Sequence, residues 1–324
     1  MKDEPTYATD GPANAESPIP IMAGWDDHDY GYNDAGNDYA CAEQSQAEWA
    51  NFVNIPRDEP QHPDSPHYRP GVYNSRMFTK PGSSETGVHV IILDNRSQRD
   101  PTYKSYGHCR GSETKILSDD QWSWLEEELD KESEIKIIGS GTQVLPPTDQ
   151  GSRSLEEYCA HDSHNAGDTD TSTFTDAIAR LGEDDQWFSN PFELWGEVPL
   201  EREKLLGLAQ RSINTGKSKV VVFVSGDQHW AEMMTKKMPD SDEWGQSQVL
   251  YEVTASGVAQ NYATDQSNSN RLRLRSADHA GQGPFNQGCV FPFTYSGAVY
   301  DECTGVDNDG VPWCSVKVDS NGRI

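Results

Sequence analysis

Four short apolar runs punctuate an otherwise polar chain. They are Val88-His89-Val90-Ile91-Ile92-Leu93, Ile135-Lys136-Ile137-Ile138, Val220-Val221-Val222-Phe223-Val224 and Leu250-Tyr251-Glu252-Val253-Thr254. Each is rich in β-branched residues and bounded by Gly, Asp or Ser, so each reads as a buried strand. A fifth run, Ile19-Pro20-Ile21-Met22-Ala23, predicts a strand over residues 18–25. Helical spacing appears between these runs. Ala47, Trp49, Phe52 and Val53 mark a helix over 43–53. Trp122, Leu125 and Leu129 mark one over 119–131, with Ser118 as its cap. A third spans 200–211. Strands alternating with helices predict an α/β core with helices on the faces of the sheet. Residues 1–17 read as a loop, and 29–40 as a loop over the site. Residues 54–70 are irregular and proline-rich, 147–192 form a polar insertion, and 261–286 a linker.

The polar residues are mostly acidic. The chain has 324 residues and a formal charge of -27, from 53 acids against 26 bases. Such a surface repels nucleic acid and anionic lipid, so neither is an expected partner. No apolar run is long enough to span a membrane. Residues 1–20 lack the basic-then-apolar order of a secretory signal. Three of the six cysteines, Cys289, Cys303 and Cys314, lie close together near the C-terminus. That clustering predicts a small disulfide-held module and an oxidising, extracellular or cell-surface setting.

Chemistry concentrates at two strand ends. Trp25-Asp26-Asp27-His28-Asp29-Tyr30-Gly31 follows the first run, and Ser225-Gly226-Asp227-Gln228-His229-Trp230 follows the valine run. A lone Asp-Asp-His after a strand is commonly a helix cap or a turn. Two such clusters, each with a glycine that allows close backbone approach, suit an oxygen- and imidazole-liganded metal centre.

These clusters resemble the alkaline phosphatase D (PhoD-like) family of metallophosphoesterases. The resemblance runs over residues 18–260. It takes in Gly24–Gly31, Leu93-Asp94-Asn95-Arg96-Ser97-Gln98-Arg99-Asp100, Gln121–Leu125 and Gln143–Pro146. It continues through Glu201-Arg202, Ser225–Glu232 and Glu252–Gly257. It implies a metallophosphoesterase-type β-sandwich flanked by helices. It also implies hydrolysis of phosphate esters by a metal-activated hydroxide, as an alkaline phosphatase or phosphodiesterase. By that matching Asp27, Asp227 and His229 are metal ligands, and His28 faces the phosphate and protonates the leaving oxygen. Asp26 orients His28 or a loop amide. Arg96 or Arg99 either grips phosphate oxygens or pairs with Asp94 and Asp100. The family implies iron with calcium, while the residues alone also allow zinc or manganese.

The family's first two ligand stretches have no counterpart here. The 25 residues before Asp26 hold no Cys, no His and no Gly-Asp pair. The reading therefore expects a domain incomplete at its N-terminus. Its alternative is a degenerate scaffold acting as an extracellular binding protein.

Cys289-Val290-Phe291-Pro292-Phe293-Thr294-Tyr295, Cys303 and Trp313-Cys314 resemble a fibronectin type II module over 287–324. The resemblance implies a Cys289–Cys314 pairing, with Cys303 left without a partner. It also implies a matrix or polymer ligand for the module, beside a phosphate ester substrate for the main domain.

Overall fold

The computed structural model describes residues 22–80, 82–83, 85–100, 114–146, 150–154, 179–182, 186–188, 194–196, 198–228, 231–256, 272–276 and 293–300. These hold helices α1 (Asp27–Tyr30), α2 (Ala42–Phe52), α3 (Asp119–Asp130) and α4 (Pro199–Asn214). Strands β1 (Asn74–Thr79), β2 (Thr86–Ile92), β3 (Ile135–Ser140), β6 (Val220–Ser225), β7 (Ala231–Lys237), β8 (Val249–Ala255) and β9 (Leu272–Ser276) build one sheet in the order β1-β2-β3-β6-β8-β7-β9. Two ribbons stand apart from it: β4 (Gln150–Ser154) with β5 (Gln186–Phe188), and β10 (Phe293–Tyr295) with β11 (Ala298–Tyr300). This is the expected α/β arrangement of a large sheet with flanking helices. Among the described residues, no helix is long and apolar enough to cross a membrane.

Strands β2, β3, β6 and β8 are adjacent and mutually parallel. Their carboxyl ends therefore open on one edge of the sheet, where α/β folds bind ligands. One face of the sheet is sealed. Ile91, Ile138, Val221, Phe223, Met234 and Leu250 lie there under Leu125, Leu129, Leu205, Leu206 and Ala209 of α3 and α4. Each such side chain, fully buried, contributes on the order of 2 kcal/mol. The opposite face is apolar but only partly covered, with Val224, Met233, Val249 and Tyr251 each about two-fifths exposed.

Local chemistry explains the helix ends. Ser118 Oγ accepts from Gln121 N at 3.1 Å and starts α3. Pro199 occupies the first turn of α4, where its missing N–H is not needed. Gly207 has no substitute in that helix, because a β-carbon there would lie 2.4 Å from the Trp244 ring.

Several expectations are corrected. Residues 22–26 carry no secondary structure, so the predicted strand over 18–25 is not formed in its described part. The segment is held instead by side chains. Asn74 Nδ2 donates to Ala23 O, and the Trp25 indole donates to Asp94 Oδ1 at 2.9 Å. In α2 the buried stripe is Gln46, Trp49, Ala50 and Val53, at i, i+3, i+4 and i+7, and Phe52 is left 65% exposed. Strands β1 and β7 come from segments without a clear apolar alternation. β9 lies inside the range 261–286.

Candidate metal centre

The carboxyl end of β2 anchors the site. Asp94, buried, accepts from Trp25 Nε1, from the backbone N–H groups of Val72, Arg96 and Ser97, and from Ser97 Oγ. Five donors on one carboxylate make Asp94 a structural hub. It fixes Trp25, the residue before Asp26, and the backbone of Arg96 itself.

Asp26 begins the single turn of α1. The Asp29 carboxylate accepts from Asp26 N at 3.2 Å, so Asp29 serves the turn. Asp27 is buried, with Oδ1 accepting from His28 N at 2.7 Å and Oδ2 from Asp34 N at 3.0 Å. Asp34 takes a positive φ of 60° to bring that amide in. Tyr30 closes the turn from beneath, donating from Oη to Gly36 O at 3.1 Å. Burial, and then the nearby Asp94 charge, push the Tyr30 phenol above its ordinary range.

The ends of β3 and β6 complete the edge. Gly226 N donates to Gly141 O at 3.0 Å, and Gly141 N donates to Asn95 Oδ1 at 3.2 Å. Gly141 is required by space: a β-carbon would lie 2.8 Å from Asp26 Oδ1 and 2.9 Å from Asn95 Oδ1. Asp227 follows Gly226 with φ +67°. An aspartate held in the left-handed region stores about 1 kcal/mol or more of strain, a feature concentrated at functional sites.

These loops bring Asp26, Asp27 and Asp227 together, with ligand oxygens all within 4.8 Å of one another. The nearest cation described is Arg96, whose Nε donates to Asp26 Oδ1 at 2.7 Å. Three carboxylates this close concentrate negative charge that a bound cation would relieve. Beside them the buried Gln228 donates Nε2 to Asp227 Oδ2 at 3.1 Å, while its Oε1 has no hydrogen-bond partner among the described residues. An orphaned amide oxygen next to three carboxylates fits a hard, oxygen-preferring ion.

The predicted site residues divide as follows. Asp27 and Asp227 meet. Asp26, expected to orient His28 or a loop amide, stands in the carboxylate group itself and carries Arg96. The His28 side chain is 70% exposed, with Nε2 3.8 Å from Asp27 Oδ2. Arg96 is fully buried on Asp26, paired neither with Asp94 nor with Asp100, so its guanidinium is not open to a substrate. Arg99 is also fully buried. His229 lies outside the described residues. The family-like motifs Glu201-Arg202 and Glu252 prove to be supports. Glu201 accepts from the N–H groups of Ile116 and Leu117 and from the Trp122 indole. Glu252 accepts from Val144 N and Leu145 N, each at 2.8 Å, while Arg202 donates to the carbonyls of the same two residues.

Comparison with known proteins adds a C-terminal assignment. Residues 289–323 match the family model of the fibronectin type II domain. The C-terminal segment carries a fibronectin type II module. The β10–β11 hairpin, turning through Ser296 and Gly297 at positive φ, lies within it. The cysteines of the module lie outside the described residues. Among solved structures, the chain is similar to one described as "Structure of PhoD", with 16% identity and a TM-score of 0.39, covering 72% of this chain and 38% of that one. The chain thus spans under two-fifths of that structure's length. No curated protein matches it.

Proposed function

We propose that the chain is a metal-dependent phosphoesterase, hydrolysing phosphate mono- or diesters at the Asp26/Asp27/Asp227 cluster. The observation that carries this reading is the convergence of those three carboxylates at the carboxyl ends of parallel strands. Asp27, Asp227 and Asp26 would hold the ion, with the Gln228 amide oxygen beside them; His229 is proposed as a further ligand. A bound hard cation supplies Lewis acidity toward a phosphoryl oxygen and activates water. The polypeptide does the rest. The Asp94 hub and the Gly141–Gly226 contact fix the carboxylates before any ligand arrives. His28, whose side chain is exposed, would protonate a leaving oxygen. Arg96 holds Asp26 in place and lowers the local negative charge, a task different from gripping phosphate. Calcium and manganese suit the described all-oxygen donors best, and an imidazole ligand such as His229 would suit iron or zinc as well.

The fibronectin type II module supports an extracellular setting and a polymer-tethering role for the C-terminal segment. It also favours a second reading, in which the main domain is an inactive scaffold for a binding protein.

Hydrolysis of p-nitrophenyl phosphate and bis(p-nitrophenyl) phosphate, with and without added calcium, iron, manganese or zinc, separates the two. Metal-dependent turnover that disappears in Asp227→Asn supports the enzyme. Folded protein without turnover under any of these metals overturns it in favour of the scaffold.

A further inference from the structure

The sheet register aligns Ser140, Ser225, Thr254 and Glu232 in one row across β3, β6, β8 and β7. All four are buried on the face that the helices cover, with Thr254 and Glu232 at 1% and 0% exposure. A wholly polar row inside a sheet core is costly unless its members satisfy one another. Here they do. The Ser225 and Thr254 hydroxyls are 2.9 Å apart. Gln143 folds back from the loop after β3 and donates Nε2 to Thr254 Oγ1 at 2.7 Å and to Glu232 Oε2 at 2.9 Å. Ser140 Oγ donates to Thr142 O at 2.8 Å and accepts from Trp195 Nε1 at 3.0 Å.

The position of the row is what matters. Ser140 and Ser225 are the last residues of β3 and β6, so the residues that follow are Gly141 and Gly226, which bond to each other. Asp227 comes next, in its strained conformation. A strained residue persists only where its surroundings over-determine it. Through Gln143, Thr254 and Ser225 the row ties the Gly141 loop to the Gly226 loop by side chains, beside a second tie in which Glu252 accepts from Val144 N and Leu145 N and bonds the Ser225 hydroxyl. Thr254 is the member that touches both.

We propose that this transverse polar row is a positioning device for Asp227, with Thr254 at its centre. It locks the Gly141 and Gly226 turns together and so aims Asp227 at Asp26 and Asp27. The consequence for metal binding rests on the function proposed above; the consequence for the loop does not.

Thr254→Val keeps the side-chain shape and removes the hydroxyl; Thr254→Ser keeps the hydroxyl. In the full chain, amide exchange at residues 226–228 is expected to speed up about tenfold or more in Thr254→Val, with α3 unchanged, and to return to normal in Thr254→Ser. Calorimetric titration with manganese is expected to show about 10–100-fold weaker binding in Thr254→Val, the loss typical of residues that orient metal ligands. Ser225→Ala serves as a second variant and shifts both readouts the same way. Unchanged exchange at 226–228 in Thr254→Val overturns the proposal. So does faster exchange that spreads equally through α3 and α4, since that is general destabilisation. Faster exchange confined to 226–228 in a chain whose wild type binds no manganese upholds the positioning role and removes the metal reading alone.

Discussion

The Arg96 guanidinium sits on the Asp26 carboxylate, 70 positions away in sequence, with Nε 2.7 Å from Oδ1 and the arginine fully buried. This pair joins the end of β2 to the start of α1 and sets a cation beside the three carboxylates. Removing the cation exposes the remaining charges to one another. Arg96→Met is therefore expected to lower the stability of the metal-free chain by about 3 kcal/mol, the scale for breaking a buried pair. Added calcium should restore more stability to the variant than to the wild type. Urea unfolding with and without calcium checks this, and equal calcium effects in the two proteins would contradict the charge argument.

Asp227→Asn tests the opposite change. Asparagine tolerates the left-handed region, so φ +67° is retained while one of three like charges is removed. The metal-free variant should unfold at the same or a higher urea concentration than the wild type. A clear fall in the midpoint would mean that the partners of Asp227, Gln228 Nε2 among them, outweigh repulsion from Asp26 and Asp27.

Gly141→Ala should be disruptive for a steric reason. The added carbon would press on Asp26 Oδ1 and Asn95 Oδ1 at under 3 Å. The expected loss is about 1–3 kcal/mol of stability, with weaker metal binding. A variant as stable as the wild type and with unchanged metal affinity would show that the Gly141 loop has slack, against the tight packing described.

Lys136 gives a pH dependence remote from the site. Its ammonium is buried and donates to the carbonyls of Lys131 and Lys217. Burial lowers its pKa from 10.5 to about 8. Between those values the unfolded chain keeps a proton that the folded chain has released. Stability from this group therefore rises as pH climbs from about 8 to 10.5. Urea midpoints across that range should rise in the wild type and show no such rise in Lys136→Met. Parallel profiles would refute the assignment.

Much of the fold was readable because strand periodicity and helix caps are local signals. The runs at Val88, Ile135, Val220 and Leu250 became strands, and Ser118 capped its helix. The Asp227 cluster at the end of β6 was legible for the same reason, whereas the strand expected before Asp26 is not formed in its described part. What escaped were relations between distant polar residues. Nothing near Arg96 in sequence points to Asp26, and the nearer Asp94 and Asp100 compete for attention. Both of those carboxylates are occupied by backbone amides instead, Asp94 at Val72, Arg96 and Ser97, and Asp100 at Lys115. Similarly, the row of Ser140, Ser225, Thr254 and Glu232 exists only through strand register, which no single segment encodes. β7 was missed because Ala231-Glu232-Met233-Met234-Thr235-Lys236-Lys237 buries Glu232 and Lys236, inverting the usual alternation.

The measurement that tests the account most directly is the unfolding midpoint of the metal-stripped full chain as manganese or calcium is added. Three converging carboxylates that bind the ion only when folded predict a saturable rise, about 2.7 kcal/mol at a hundredfold excess over the dissociation constant, and a much smaller one in Asp227→Asn. A midpoint that does not move with either metal, or that moves equally in Asp227→Asn, would contradict the metal centre on which the proposed chemistry depends.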